Sequence, residues 1–298
     1  MAKITLLDGG MGQELLARTG DTPTPLWATQ VMIDHPDVVR DIHADYFAAG
    51  ATVATTNTYA IHHDRLAPFG KDDLFLTLHR KAAEQAQAAR AAHGSGRIAV
   101  SLGPLMASYR PDLCPAPDVA EGLYAEIVAL HAPHADLLLA ETMASVAQAE
   151  GALRGAARGG RPVWLAVTVD DADGTRLRSG EPVAALASLV ARYRPAAVLV
   201  NCSVPEAMAA ALAEVAGFGV PFGAYANGFT HITEAFKQEA PTVDALHARH
   251  DLTPEKYAEF AMGWVAQGAT IVGGCCEVGP AHIAALAQAL RAAGHEIV

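Results

Sequence analysis

Three of the four cysteines stand in two short segments, Asn201-Cys202 and Gly273-Gly274-Cys275-Cys276, each directly after a run of β-branched and aliphatic residues. Three thiolates with one open corner suit a catalytic zinc, because Zn²⁺ favours soft sulfur in tetrahedral geometry and needs a vacancy for its substrate. Neighbouring residues of a regular strand point to opposite faces, so Cys275 and Cys276 can share an ion only where the strand end is distorted. Gly273 and Gly274 permit such a bend. The competing reading is that a buried cysteine is a small apolar core residue, and spacing alone leaves both open. Cys114, inside 111–117, reads as an incidental loop thiol. A vicinal Cys275–Cys276 disulfide is an oxidised form and not the expected working state.

Other chemistry is scarce. The thirteen histidines form no HExxH spacing, and His62, His63, His247 and His250 read as solvated loop or helix-end residues. No Gly-x-Ser-x-Gly elbow is present, which disfavours a Ser/His/Asp hydrolase.

The elements that must position the thiols repeat along the chain. Short apolar runs at 4–7, 52–56, 98–102, 137–140, 163–169, 197–200, 222–226 and 270–273 alternate with Ala-rich amphipathic stretches at 36–49, 72–92, 120–131, 146–158, 182–193, 205–216, 254–267 and 280–293. Pro36, Pro182, Pro205, Pro254 and Pro280 stand where these helices begin, the place where a missing N–H is harmless. Eight strand-then-helix units predict one α/β domain over 1–298, a (β/α)8 TIM barrel rather than an open doubly wound sheet. The first strand runs into Asp8-Gly9-Gly10-Met11-Gly12, which is not a dinucleotide loop, since a carboxylate stands where a pyrophosphate needs neutral donors. Barrel chemistry lies at the carboxyl ends of strands. There the sequence places Asp8, Asn57 and Tyr59, Glu141, Asn201 and Cys202, Asn227, and Cys275 with Cys276. Long connections at 108–118 and 228–253 are expected over that mouth.

Composition narrows the partners. The 298 residues are 51% hydrophobic and 18% charged, with net charge −11 and no Lys/Arg run, so a small-molecule substrate is expected and nucleic acid is not. No stretch approaches the roughly 18 to 20 apolar residues of a membrane span. The start shows no signal-peptide pattern, and the expectation is a cytoplasmic protein with no membrane partner. Four cysteines without an export signal do not suggest a disulfide framework.

Taken in order, Asp8-Gly9-Gly10-Met11-Gly12, Pro25-Leu26-Trp27, Ala49-Gly50-Ala51, Thr55-Thr56-Asn57-Thr58-Tyr59, Ser101-Leu102-Gly103-Pro104, Glu141-Thr142, Asn201-Cys202-Ser203 and Gly273-Gly274-Cys275-Cys276 resemble the homocysteine S-methyltransferase family. That family includes the S-methylmethionine and betaine enzymes and the homocysteine module of cobalamin-dependent methionine synthase. The resemblance implies that Cys202, Cys275 and Cys276 bind zinc and carry the catalytic thiol chemistry. It implies further that Asp8 and Glu141 hold the homocysteine amino group, that Gly9 and Gly10 let backbone approach the substrate, and that Trp27 and Tyr59 are aromatics near the substrates. The plain structural alternatives are that both acids cap helices and that Trp27 is core packing.

Two departures stand out. After strand seven the family commonly shows Tyr-Pro-Asn, where this chain has Tyr225-Ala226-Asn227-Gly228-Phe229. After the cysteine pair it commonly shows Thr-Pro or Thr-Thr-Pro, where this chain has Glu277-Val278-Gly279-Pro280.

The implied reaction is methyl transfer to homocysteine, giving methionine. A sulfonium donor such as S-methylmethionine is the first expectation; betaine or a methyl-corrinoid partner protein is the alternative. A different class of reading is a zinc- and thiol-binding barrel without turnover, and a homo-oligomer is compatible with all of them. Aromatic faces at Trp27, Tyr59 or Phe229 could hold a cationic donor, and Asn227 could occupy the fourth zinc corner when substrate is absent.

Overall fold

The computed structural model describes residues 1–26, 28–238 and 241–298. Nine strands form one sheet: β1 (Lys3–Leu6), β2 (Val53–Thr55), β3 (Arg97–Leu102), β4 (Leu137–Met143), β5 (Val163–Val167), β6 (Ala197–Asn201), β7 (Phe222–Tyr225), β8 (Ile271–Val272) and β9 (Glu296–Ile297). Their order is β2-β3-β4-β5-β6-β7-β8-β1-β9, and the paired strands run parallel. A parallel bridge between Leu7 and Val53, with Thr52 N–H donating to Leu6 O at 2.7 Å, joins the two ends and closes the barrel. All eight expected strands are present, and the fold is the (β/α)8 barrel. The two-residue β9 was not expected. It pairs with the start of β1, where Thr52 Oγ1 donates to Val298 O at 2.8 Å.

The pleat divides the apolar residues into two layers. Leu7, Val53, Ala99, Leu137, Leu139, Trp164, Ala166, Ala197, Leu199 and Ile271 pack together inside the barrel. Their neighbours on the same strands, such as Leu6, Val100, Leu138, Leu165, Val198 and Val272, pack outward in the larger core shared with the helices. Both faces of each strand are therefore buried, which is why the strands read as continuous apolar runs rather than alternating ones. Arg97 closes the lower end, its guanidinium 5.7 Å from the Trp164 ring and donating to Thr5 Oγ1 at 3.1 Å.

The outer helices largely follow expectation. Pro36–Ala49, Pro205–Val215, Pro254–Ala266 and Pro280–Ala292 each begin on proline. The stretch after Pro182 differs: it opens as a 3₁₀ turn, Val183–Leu186, and becomes α-helical only over Ala187–Tyr193. Three helices were not expected: Met11–Thr19, Ala28–Asp34 and His63–Leu66. The first of these sits under the mouth and begins directly after the Asp8-Gly9-Gly10 segment. A second correction concerns His62, expected to be solvated. It is buried at 2% exposure, and burial, with Arg65 nearby, lowers its pKa to about 3, so the ring is neutral.

Candidate active site at the mouth of the barrel

The mouth is built from residues one pleat above the inner apolar layer. Thr55 follows Val53, Ser101 follows Ala99, Glu141 follows Leu139 and Tyr225 follows Gly223, so all four point inward, where the apolar layer ends. They meet in a cavity of about 120 Å³ that Asp8, Tyr59 and Tyr109 also line, together with Cys202, Cys275 and Cys276.

Glu141 is the best anchored of them. Ser101 Oγ donates to its Oε1 at 2.5 Å and Tyr225 Oη to its Oε2 at 2.9 Å. Its aim comes from a break in β4, where the register shifts between Ala140 and Met143 and Thr142 adopts φ +62°. Asn201 holds that break: its Oδ1 accepts from Thr142 N at 3.0 Å and its Nδ2 donates to Thr142 Oγ1 at 2.9 Å. Asp8 is held by Thr55, whose N–H donates to Oδ2 at 2.6 Å and whose Oγ1 donates to Oδ1 at 2.8 Å.

Burial is the main reason both carboxyl groups are hard to ionise. It raises Asp8 to about 7 against the hydrogen bonds from Thr55, with Glu141 adding repulsion, and it raises Glu141 against those from Ser101 and Tyr225. Among the described residues lining this cavity there is no Lys, Arg or His. Two buried acids thus face one space without a counter-cation.

The sulfurs lie at the same mouth. One ligand atom each from Cys202, Cys275 and Cys276 falls within 4.8 Å of the others. Cys202 and Cys275 are joined in a disulfide with Cα atoms 5.8 Å apart, and Cys276 is free. The pair in contact is Cys202 with Cys275, not the vicinal Cys275 with Cys276. Burial, followed by repulsion from Glu277 and Glu141, pushes the Cys276 thiol up to about 12, so this sulfur stays protonated at neutral pH unless a cation joins it. Three convergent sulfurs, one of them a half-buried thiol with no cation beside it, fit the donor set of a soft divalent metal once the pair is reduced to thiols.

The convergence of Cys275 and Cys276 has a different cause from the expected glycine bend. The strand stops at Val272, and the cysteines enter a turn in which Val278 N–H donates to Cys275 O at 3.1 Å and Glu277 takes φ +65°. Gly273 and Gly274 have no positive φ; a side chain there would collide with Leu7 and Val278. Gly9 and Gly10 are explained in the same way. A Cβ on Gly9 would strike Val278 O, and one on Gly10 would lie 2.7 Å from Cys275 O, so these glycines let the first loop pack onto the cysteine turn. Tyr46 Oη sits between the carbonyls of Gly10 and Val278 at 3.0 and 3.1 Å, and Tyr257 Oη donates to Gly273 O at 2.6 Å.

The remaining expected site residues are placed less directly. Tyr59 lines the cavity, but its hydroxyl is tied to Ser108 Oγ at 2.8 Å and Arg65 lies 5.7 Å from its ring centre. Asn227 is buried and does not line the cavity; its Oδ1 accepts from Phe229 N at 3.1 Å. Phe229 packs with Tyr109, Cys202, Cys275 and Cys276 in an apolar cluster beside the sulfurs. Cys114 is a half-buried loop thiol outside that group. Trp27 lies outside the described residues. Sequence reasoning missed Thr55, Ser101 and Tyr225 as partners of the acids, although a polar residue two positions beyond an inward apolar one was a usable signal. It also missed Tyr109, which carries no such mark.

Fold and site define the class: a (β/α)8 barrel enzyme acting on small molecules at the carboxyl ends of its strands. Residues 5–290 match the family described as Homocysteine S-methyltransferase, and the chain belongs to that family. It is 30% identical to the homocysteine S-methyltransferase of Escherichia coli (strain K12) over 95% of this chain and 94% of the relative. It is 29% identical to the methionine synthase of Mycobacterium tuberculosis over 97% of this chain and 25% of that longer protein. The crystal structure of the homocysteine methyltransferase MmuM from Escherichia coli in metallated form superposes with TM-score 0.80 at 28% identity, covering 96% of each chain. The oxidized form of that protein gives 0.77. Among the described residues no helix is long and apolar enough to cross a membrane.

Proposed function

We propose that the chain is a zinc-dependent methyltransferase that moves a methyl group from a sulfonium donor such as S-methylmethionine to the sulfur of homocysteine, yielding methionine. The observation that carries this reading is the pairing of two features in one cavity: two buried carboxylates without a cation, and three cysteine sulfurs within 4.8 Å of one another. A molecule bearing an ammonium at one end and a thiol at the other satisfies both. Asp8 and Glu141 would take the ammonium, each pre-oriented by two hydrogen bonds. Cys202, Cys275 and Cys276 would hold the zinc, which when bound supplies the positive charge that keeps the substrate sulfur as a thiolate near neutral pH. Both sulfurs of the Cys202–Cys275 pair would serve as ligands in the reduced chain.

The chain's own residues contribute chiefly orientation. With ammonium and sulfur fixed at two points, one approach line remains for the methyl carbon, and holding reactants on that line lowers the barrier. Tyr109 and Phe229 form an apolar wall beside the sulfurs that would exclude water from the transfer. No base is needed at carbon, since the donor leaves as a neutral thioether.

A second reading is favoured by the match to a quarter of methionine synthase: the methyl group would then come from a methyl-corrinoid partner. Methionine formation by the reduced, zinc-loaded protein, assayed in turn with S-methylmethionine, betaine and methylcobalamin, separates the two. The sulfonium donor is expected to give turnover at least about a hundredfold above the others, a gap of about 2.7 kcal/mol in barrier. Turnover with methylcobalamin alone would select the second reading.

A further inference from the structure

The mouth holds one charged pair that the proposed chemistry leaves unused. Arg178 and Asp171 both belong to the connection after β5, their side chains only 7% and 14% exposed, with Nη2 to Oδ1 at 2.8 Å and Nη1 to Oδ2 at 3.1 Å. Each partner reaches beyond its own loop. Asp171 Oδ1 accepts from Val204 N at 3.1 Å, after β6, and its Oδ2 accepts from Ile232 N at 3.0 Å, after β7. Arg178 Nε donates to Thr168 Oγ1 at 3.0 Å, and Nη2 lies 3.4 Å from the carbonyl of Cys202. Thr168 Oγ1 lies 3.2 Å from that same carbonyl. The guanidinium also covers the Tyr109 ring, 5.0 Å from its centre.

Cys202 stands at φ +48°, a left-handed conformation that a residue with a Cβ keeps only where its surroundings fix it. The carbonyl that Arg178 and Thr168 grip belongs to this residue. A buried ion pair is a poor source of net stability, because desolving two charges offsets their attraction. The value of this one lies in where it reaches: two loops that approach the sulfurs, and the Tyr109 ring that walls the cavity.

We infer that Arg178, braced by Asp171, is a positioning residue for the metal site, setting the backbone of Cys202 so that its sulfur faces Cys275 and Cys276 before a metal enters. The inference rests on the zinc-dependent reading above. It predicts that loss of the guanidinium weakens metal binding although no ligand atom is touched, in the way that groups orienting a ligand from behind commonly change affinity by about 10- to 100-fold.

The test uses the reduced full chain. Zinc affinity is measured by competition with a chromogenic chelator, and the thiolate-to-metal absorption bands are recorded after cobalt substitution, for wild type, Arg178→Met, Arg178→Lys and Arg154→Met. Arg154 pairs with Asp118 and Glu121 across two outer helices, so its loss should lower thermal stability without touching the mouth. Arg178→Met should bind zinc at least about tenfold more weakly and show altered cobalt bands. Arg178→Lys keeps the charge opposite Asp171 but lacks the second arm, and should recover part of the affinity. Arg154→Met should match wild type in both readouts.

Wild-type zinc affinity and cobalt bands in Arg178→Met would overturn the inference, as would an equal loss in Arg154→Met. Should Arg178→Met fail to fold, Arg178→Lys decides: affinity reduced about threefold or more supports the role, and wild-type affinity overturns it. A wild-type protein that retains no zinc would sink the functional reading and this inference together; a zinc-loaded wild type with indifferent variants would sink this one alone.

Discussion

Asp8 and Glu141 are costly residues for a folded chain to keep. Each loses hydration and neither gains a cation; under the proposed function the offsetting charge is brought by the ligand. The pH consequence for Asp8 can be worked out. Its carboxyl titrates near 7 in the folded protein against 3.8 as the ordinary value, so between those limits the folded state binds more protons than the unfolded one. Stability of the substrate-free protein should therefore fall as pH rises from about 4 to about 7. Asp8→Asn removes the ionisation, and its stability at pH 8 should be higher than wild type by about 1 to 2 kcal/mol, while homocysteine binding weakens at least about tenfold. Urea unfolding across pH and calorimetric titration with homocysteine check both halves. A variant less stable at pH 8 that still binds homocysteine normally would refute this assignment of Asp8.

The strand ends show what the sequence displayed and what it concealed. Glu141 and Cys202 were evident as polar residues closing apolar runs, because a strand buried on both faces stops where its hydrophobic run stops. What aims them was concealed, since it depends on backbone conformations that no residue type announces. Met106, Tyr109, Thr142, Cys202 and Glu277 all have positive φ, and all lie in or beside the loops of the mouth. Glu277 occupies a turn position that glycine would fill at lower cost, Thr142 is held by the Asn201 side chain from β6, two strands away, and Cys202 by the Thr168 side chain just after β5. Strain of this kind concentrates where geometry matters more than stability. Asn201 gives a direct check, because Asn201→Ala leaves the buried N–H of Thr142 without its partner. It should destabilise the protein by about 1 to 3 kcal/mol and weaken homocysteine binding about tenfold by releasing Glu141 from its bulge. Thermal unfolding and titration calorimetry measure the two, and a stability loss with unchanged affinity would mean that the bulge does not aim Glu141.

The barrel as a whole was readable from eight repeats of one apolar run and one amphipathic stretch, since closure of eight parallel strands is the packing that buries both faces of each. The departures have local causes. β9 has only two residues and pairs with the start of β1, too short a run to stand out in the sequence. The helix Met11–Thr19 is disguised by glycines at 9, 10 and 12, the first two required by the close approach of the cysteine turn. The disulfide partner of Cys275 could not be read either, because Cys202 is 73 positions away and meets it only through the order β6-β7-β8.

The proposed function requires the three sulfurs to act together on one metal ion. Cys275→Ala tests this most directly, with zinc per chain and methionine formation measured on the same reduced preparations of wild type and variant. The wild type should carry about one zinc and form methionine, and the variant should lose both, its activity falling by at least about a thousandfold, or about 4 kcal/mol in barrel-bound transition-state stabilisation. A zinc-free Cys275→Ala protein that makes methionine at the wild-type rate would contradict the account.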